Sequence, residues 1–233
     1  SHIAQQLAHV GVGEFLLVDL DRIDETNLNR LIGGTTADLR RHAWKTAIAT
    51  RQIKRINPDA KVTQVRADWK SKAALLRDCD VIFGCVDTFA ARRDLEAAAR
   101  RYLTPYIDIG MDVFGDAFPY SISGQVALST PGRPCMRCMG ILTDARLAQE
   151  AELYGAAGGH PQVVWPNGVL ASLAVGVFVQ LVTPWNGENK TSVLLEYDGN
   201  SQEVNRSLGL SYLPDSCGHF SGLDDLGDPW FED

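Results

Sequence analysis

The sequence predicts an α/β fold: a doubly wound, mainly parallel sheet flanked by helices, with an antiparallel extension in the C-terminal half. Short, continuously apolar runs such as FLLVD (Phe15 to Asp19) and VIFGCV (Val81 to Val86) have the pattern of strands covered on both faces of a parallel sheet. Helical periodicity alternates with these runs through about residue 110, as right-handed βαβ units require. After Gly110 the pattern changes, and Tyr120 to Leu128 alternates like an antiparallel strand.

The elements follow in order. Ile3, Leu7 and Val10 recur at helical spacing, and Gly11 and Gly13 stop that helix before the first apolar run. A second helix covers Trp44 to Ile56 and ends at Asn57-Pro58, because the residue before a proline disfavours the helical region. Lys61 to Val65 reads as a strand, 71–77 as a short helix and Val81 to Val86 as a buried strand. Thr88 can N-cap a helix running to Leu103, its hydroxyl accepting from a first-turn N–H, and TPYIDIG gives the next strand. Beyond the antiparallel strand, TPGRPCMRCMG is a turn-rich loop and 143–154 a helix. AAGGHPQ is a crossing made mobile by Gly155, Gly158 and Gly159. An apolar helix at 167–183 then leads to a strand at Ser192 to Tyr197 and a polar tail.

Composition narrows the class. Apolar residues at 45% and charged residues at 22% exclude a disordered or fibrous chain. With 22 Lys plus Arg against 29 Asp plus Glu, no general nucleic-acid binder is expected. The stretch 221–233 holds acids and no base and reads as a solvated acidic tail. No eighteen consecutive residues are apolar, so no membrane contact is expected; Val169 to Val182, interrupted by Ser172, Gly176 and Gln180, reads as a buried helix. Without a signal-peptide pattern, five cysteines with two in C-x-x-C suit a reducing cytoplasm and a metal better than disulfides. The chain opens at Ser1, without Met, directly into a helical pattern, like the interior of a longer protein.

In an open α/β sheet, ligands bind beyond the carboxyl ends of the strands, and Asp19, Asp87 and Asp108 fall at expected ends. An acid ending such a strand bonds a ribose hydroxyl pair or merely closes a turn, and Asp19 alone fits both readings. It is followed by Asn27, Asn29 and Arg30, with Lys45 at the next helix start. Arg and Lys beside a nucleotide neutralise phosphate oxygens. Asp87 would repel a triphosphate unless Mg²⁺ lay between them, so the set points to Mg-ATP rather than to a nicotinamide dinucleotide.

The string LLVDLDRIDETNLNRL, then Lys45, INPDAKV and CVDTFAARRDL, resembles the ThiF/MoeB/HesA family, relatives of the ubiquitin-activating enzymes. The likeness runs from Ser1 to about Tyr197 and implies one Rossmann-like adenylation domain over 1–220. It implies ATP-dependent adenylation of the C-terminal glycine carboxylate of a ubiquitin-like or sulfur-carrier protein, releasing pyrophosphate. By the same likeness Asp19 holds the ribose and Asn27 the phosphate side. Arg30 and Lys45 hold the triphosphate and the attacked α-phosphate, Asp87 organises Mg²⁺, Arg92 braces that loop, and Asp21 is structural. A homodimer is also implied. Two features depart from the pattern. The first strand and glycine loop that cradle phosphates in relatives do not precede Ser1. No cysteine lies between Cys138 and Cys217 to carry a thioester, so the chain resembles the adenylation-only MoeB type, with His160 and Trp165 left to loop contacts. The alternative is a non-catalytic partner that keeps the fold, and a nicotinamide-dependent oxidoreductase fails to explain Asn27, Arg30 and Lys45.

Cys135 and Cys138 sit in a Gly/Pro-bounded loop where two thiolates can grip one tetrahedral ion. Relatives supply a second C-x-x-C late in the chain. Here Cys217 falls in that region with Phe220 in the partner position, and His219 can complete a Cys₃His set for structural Zn²⁺. The alternative is a site that has lost its metal. Cys79 and Cys85 read as core thiols, and Trp185, Trp230 and Phe231 as possible anchors for the tail.

Overall fold

The computed structural model describes residues 1–115, 118–153, 163–188, 191–220 and 222. Helix α1 (His2–His9) ends where Gly11 takes a left-handed φ of +88°, and β1 (Glu14–Val18) follows. Helices α2 (Thr36–Arg40) and α3 (Lys45–Ile56) lead to β2 (Lys61–Val65), which pairs with β1 in parallel, Glu14 opposite Lys61 through Val18 opposite Val65. A 3₁₀ segment, Trp69–Asp78, stands where the short helix was expected. Then come β3 (Ile82–Gly84), α4 (Phe89–Arg101), β4 (Tyr106–Phe114) and β5 (Ser121–Ser129). Helices α5 (Asp144–Leu153) and α6 (Val164–Val182) precede β6 (Ser192–Asp198) and β7 (Glu203–Arg206).

The larger sheet has the order β3-β4-β5-β6-β7. Only β3 and β4 are parallel in it, so the antiparallel extension is its longer part. The strand expected to stop at Gly110 runs on to Phe114, because β4 pairs with β5 over nine residues, from Tyr106 opposite Ser129 to Phe114 opposite Ser121. Asp108 is therefore interior to β4 and not at a strand end. The expected polar tail after Tyr197 instead supplies β7 and a 3₁₀ turn at Leu208–Tyr212. β7 is exposed on every residue, so it lacked the apolar alternation that marks a half-buried strand. The crossing with His160, the tail aromatics Trp230 and Phe231, and nearly all of 221–233 lie outside the described residues.

Successive residues of β4 point to opposite faces and so build two cores. Tyr106 faces Leu95, Ala98 and Ala99 of α4 together with Met136, Ile141 and Leu142 of the cysteine loop. Ile107 faces Leu170, Ala174 and Val177 of α6. A third cluster joins Leu7 of α1, Phe15 of β1, Ile53 of α3 and Val175 of α6, so α6 ties the two sheets together. This helix was expected to be buried. It has the length and composition of a membrane-spanning helix, yet only 33% of it is buried, and Val164, Trp165 and Val182 stay exposed.

The loop carrying Arg30 is fastened from α3. The Arg51 guanidinium donates to both carboxylate oxygens of Asp38 at 2.7 Å and to the Gly33 carbonyl at 2.8 Å. Thr35 and Asp38 add a reciprocal capping box at the start of α2. Arg51, and after it the Thr35 hydroxyl, hold the Asp38 carboxyl well below the usual carboxylate range against the cost of burial. A folded-state pKa below the unfolded value stabilises at neutral pH and loses that stabilisation as pH falls below about 4. The gap in urea midpoint between wild type and Asp38→Asn is expected to be constant above pH 5 and to narrow toward pH 3; a gap independent of pH would remove this role.

Candidate active site and metal cluster

Asp19 leaves the carboxyl end of β1, where its N–H donates to the Val65 carbonyl at 3.1 Å. Its carboxylate accepts from the Asp21 N–H at 2.8 Å. Burial pushes the Asp19 carboxyl up, opposed by that N–H and by the Lys45 ammonium, which lies within electrostatic reach. Lys45 opens α3. Its backbone N–H donates to the Asp21 carbonyl at 3.1 Å, and its Nζ pairs with the Asp21 carboxylate at 2.7 Å. Asp21 thus docks the start of α3 and holds the Lys45 ammonium beside Asp19, the structural part expected of it.

Asn27 is buried in the 3₁₀ turn Glu25–Asn27. Its carboxamide oxygen accepts from the Asp24 N–H at 3.0 Å while the Asp24 carboxylate accepts from its own N–H at 3.1 Å. The side chain expected on the phosphate side is thereby committed, through its oxygen, to shaping the turn that presents Arg30. The half-buried Arg30 folds its guanidinium back on the Thr26 carbonyl and the Asn29 carboxamide. The Ser1 hydroxyl accepts from the Ile32 N–H at 3.2 Å, tying the start of α1 to the same loop.

Asp87 is exposed at the carboxyl end of β3, immediately before Thr88. Thr88 caps α4 as expected, accepting from the Ala91 N–H at 3.1 Å. Sequence reasoning missed a second cap. The Glu150 carboxylate of α5 accepts from the Phe89 N–H at 2.7 Å and the Ala90 N–H at 2.9 Å. Arg92 is buried and braces β4 rather than the Asp87 loop, pairing with the Asp108 carboxylate at 2.9 Å. The Tyr106 hydroxyl donates to the other oxygen of that carboxylate at 2.9 Å. Tyr106 lies so close to Gly84 that a Cβ there would stand 1.9 Å from its hydroxyl, which is why the strand carries glycine at this point. Cys79 packs at the margin of the first core and burial pushes its thiol up, whereas Cys85 is exposed just past β3 and is not a core thiol.

The four expected metal ligands do converge. Cys135, Cys138, Cys217 and His219 place their donor atoms within 4.8 Å of one another. The Sγ atoms of Cys135 and Cys138 are 3.7 Å apart, those of Cys138 and Cys217 3.8 Å. His219 Nδ1 stands 3.5, 3.4 and 3.9 Å from the sulfurs of Cys135, Cys138 and Cys217. Zn–S bonds of about 2.3 Å and a Zn–N bond of about 2.0–2.1 Å at tetrahedral angles require roughly 3.8 Å between sulfurs and roughly 3.5 Å from sulfur to nitrogen. The donor set fits one tetrahedral ion. C-x-H is sterically workable because the His219 N–H turns back to donate to the Cys217 sulfur at 3.3 Å.

A buried polar brace, not foreseen, fixes the first half of this cluster. Arg100, at the end of α4, donates to the carbonyls of Arg133 at 2.9 Å and Pro134 at 3.1 Å and to the Ser129 hydroxyl at 2.7 Å. Glu96 accepts from the Met136 N–H at 2.9 Å and from the Ser129 hydroxyl. Phe220, in the position where relatives have their fourth cysteine, lies 5.1 Å from the Arg100 guanidinium. The i,i+4 spacing of Glu96 and Arg100 was visible in the sequence, but such pairs are usually solvated surface charges.

Known proteins show the family. Over 200 residues the chain is 32% identical to the molybdopterin-synthase adenylyltransferase of Escherichia coli, covering 84% of this chain and 73% of that protein. Over 140 residues it is 31% identical to the sulfur carrier protein ThiS adenylyltransferase of the same organism, covering 58% of this chain and 52% of that protein. The chain thus spans between half and three quarters of the length of these relatives. Among solved structures, E. coli MccB with ATP superposes with a TM-score of 0.71 at 19% identity, over 88% of this chain and 59% of that one, a likeness of fold. Residues 1–218 match the ThiF family as a whole, and the chain belongs to it.

Proposed function

We propose that this protein adenylates the C-terminal glycine carboxylate of a ubiquitin-like or sulfur-carrier protein, using ATP and Mg²⁺ and releasing pyrophosphate. The observation that carries this reading is Asp19 at the carboxyl end of β1 with the Lys45 ammonium within electrostatic reach, held by Asp21 at 2.7 Å, while Asp87 follows the carboxyl end of β3. The names of the relatives, adenylyltransferases for a sulfur carrier and for molybdopterin synthase, support the same reaction class.

The chemistry asks little of acid–base groups. A carboxylate oxygen of the carrier attacks the α-phosphorus, a new P–O bond forms, the bond to the bridging oxygen of the β-phosphate breaks, and the electron pair leaves with pyrophosphate. No proton moves. Catalysis is then alignment and neutralisation of developing charge. Asp19 is set to take the ribose hydroxyls. Lys45, held by an exposed carboxylate, is free to trade Asp21 for phosphate oxygens, and Arg30 can swing from its Thr26 carbonyl in the same way. Asp87 would hold Mg²⁺, which when bound supplies positive charge beside the triphosphate. Cys135, Cys138, Cys217 and His219 would hold a structural Zn²⁺. Five free thiols suit a reducing, cytoplasmic setting. Val164, Trp165 and Val182, apolar and exposed at the two ends of α6, suit a homodimer that would cover them.

Pyrophosphate–ATP exchange on the full protein, with and without a carrier ending in Gly-Gly, tests this. Exchange is expected only with the carrier, and Asp87→Ala is expected to lower it by about 10²–10³, the usual loss on removing one preorganised electrostatic group. Absent exchange together with absent ATP binding by calorimetry would overturn the reading in favour of a non-catalytic partner subunit.

A further inference from the structure

Helix α5 is out of the ordinary in what holds it. None of its described side chains is buried, and a ten-residue helix without a buried apolar face has little to fix it against the body. Its position is set by polar contacts at its two ends. At the N-terminal end the Arg146 guanidinium donates to the Ile141 carbonyl at 2.9 Å, and Asp144 pairs with Arg137, which lies between the two cysteines of the C-x-x-C. At the C-terminal end Glu150 takes the first two N–H groups of α4 on its two carboxylate oxygens, at 2.7 and 2.9 Å. Arg146 also lies 5.6 Å from the centre of the ring of Phe89, the first residue of α4, and Arg92 lies 5.8 Å from the same ring. The chain from Phe89 back to Asp87 is two residues long.

We infer that α5 is a strut through which the cysteine loop sets the position of the Asp87 loop, and that Glu150 is its positioning residue. A carboxylate bound by two N–H groups at a helix N-terminus is held by charge-assisted bonds and by the helix dipole, so the contact is stiff in both distance and direction. Glu150 never meets a reacting atom. It fixes where α4 begins, and hence where Asp87 stands. Because α5 is anchored to the C-x-x-C loop at its other end, a disturbance at either end reaches the other. The consequence for turnover rests on the adenylation reading; the mechanical coupling does not.

Hydrogen exchange on the full chain tests the coupling without reference to activity. Glu150→Gln loses the charge and one acceptor, and Arg146→Leu cuts the other end without touching a thiol. Each is expected to raise amide exchange over 86–91 about tenfold, and the double variant to raise it no further, since the two act through one connection. Thr88→Ala, which removes the other cap of α4 but leaves α5 in place, is the control for simple fraying. It is expected to leave exchange over 135–142 unchanged, whereas Glu150→Gln raises it there too. Additive effects of Glu150→Gln and Arg146→Leu, or a change confined to the first turn of α4 as in Thr88→Ala, would overturn the strut. In the exchange assay with a carrier, the coupling predicts a fall in kcat for Glu150→Gln at unchanged KM for the carrier. If wild type shows no turnover, the adenylation reading fails while the amide result still decides the coupling.

Discussion

Stripping the metal, or replacing Cys135 or Cys217 by Ser, is expected to lower the melting temperature by about 10 °C, since roughly 3–5 kcal/mol is lost and each kcal/mol moves a domain of this size by about 2–4 °C. The four ligands bring together the loop around Cys135 to Gly140 and the segment around Cys217 to Phe220, which lie far apart in sequence. Among the described residues the latter segment contributes one buried side chain, Cys217 itself, so little else fixes it. A zinc finger peptide owes all of its folding, about 10–16 kcal/mol, to the ion. The expected loss here is smaller because Met136, Ile141 and Leu142 are buried in the first core and Arg100 and Glu96 hold the loop backbone without a metal. His219→Ala should cost less than loss of either buried cysteine, because His219 is the exposed ligand and water can take its place. Metal analysis with melting curves before and after chelation measures all of this. About one Zn²⁺ per chain and a chelator-sensitive transition is the expected result, and a metal-free protein with a chelator-insensitive melt would refute it.

How legible this was in the sequence differs from element to element. β1, short and apolar, stood within one residue of its expected place, and β2, which has no buried residue, stood at its expected bounds on its β-branched Val62, Thr63 and Val65. The cap at Thr88 was legible for the same local reason. The capping boxes at Asp24 and Thr35 were passed over although each shows an acceptor followed three residues later by its reciprocal partner. β7 carried no apolar alternation and is an edge. The candidate site divides the same way. The residues proposed for the nucleotide, Asp19, Lys45 and Asp87, stand after strand ends or at a helix start, places that the local sequence pattern marks. Glu96, Arg100 and Glu150 act on backbone groups that only the tertiary fold brings near, 40 to 61 residues away in the cases of Met136 and Phe89. Asp108 was misplaced because the sequence of TPYIDIG does not show that its pairing with β5 continues past Gly110.

The pair formed by Arg92 and Asp108 carries the other large effect. Asp108 is fully buried, and its charge is met by Arg92 on one oxygen and by the Tyr106 hydroxyl on the other. Arg92→Met would leave that carboxylate without its counter-charge, and breaking a buried pair in this way costs about 3–5 kcal/mol. Removing both charges together, in Arg92→Met with Asp108→Leu, is expected to restore most of the loss, because the desolvation of both ions disappears with them. Tyr106→Phe is the mild member of the set, at about 1.5–3 kcal/mol for one hydrogen bond to a charged group. Burial already pushes the Asp108 carboxyl up, with Arg92 and Tyr106 opposing, so loss of Arg92 pushes it further. A carboxyl whose folded pKa lies above its unfolded value favours the folded state most at low pH and loses that contribution as pH rises. The penalty of Arg92→Met should therefore be largest at neutral pH and shrink as the buffer is taken toward pH 5, a higher pH range than the one over which the Asp38 gap closes. Because Asp108 stands opposite Gly84 at the end of β3, from which the chain departs toward Asp87, the same variant is expected to weaken ATP binding as well as the fold. Urea titrations of the single and double variants at pH 5 and 7 decide the matter: a penalty that grows on acidification, or a double variant no better than Arg92→Met, would show that Asp108 is not held by its charge.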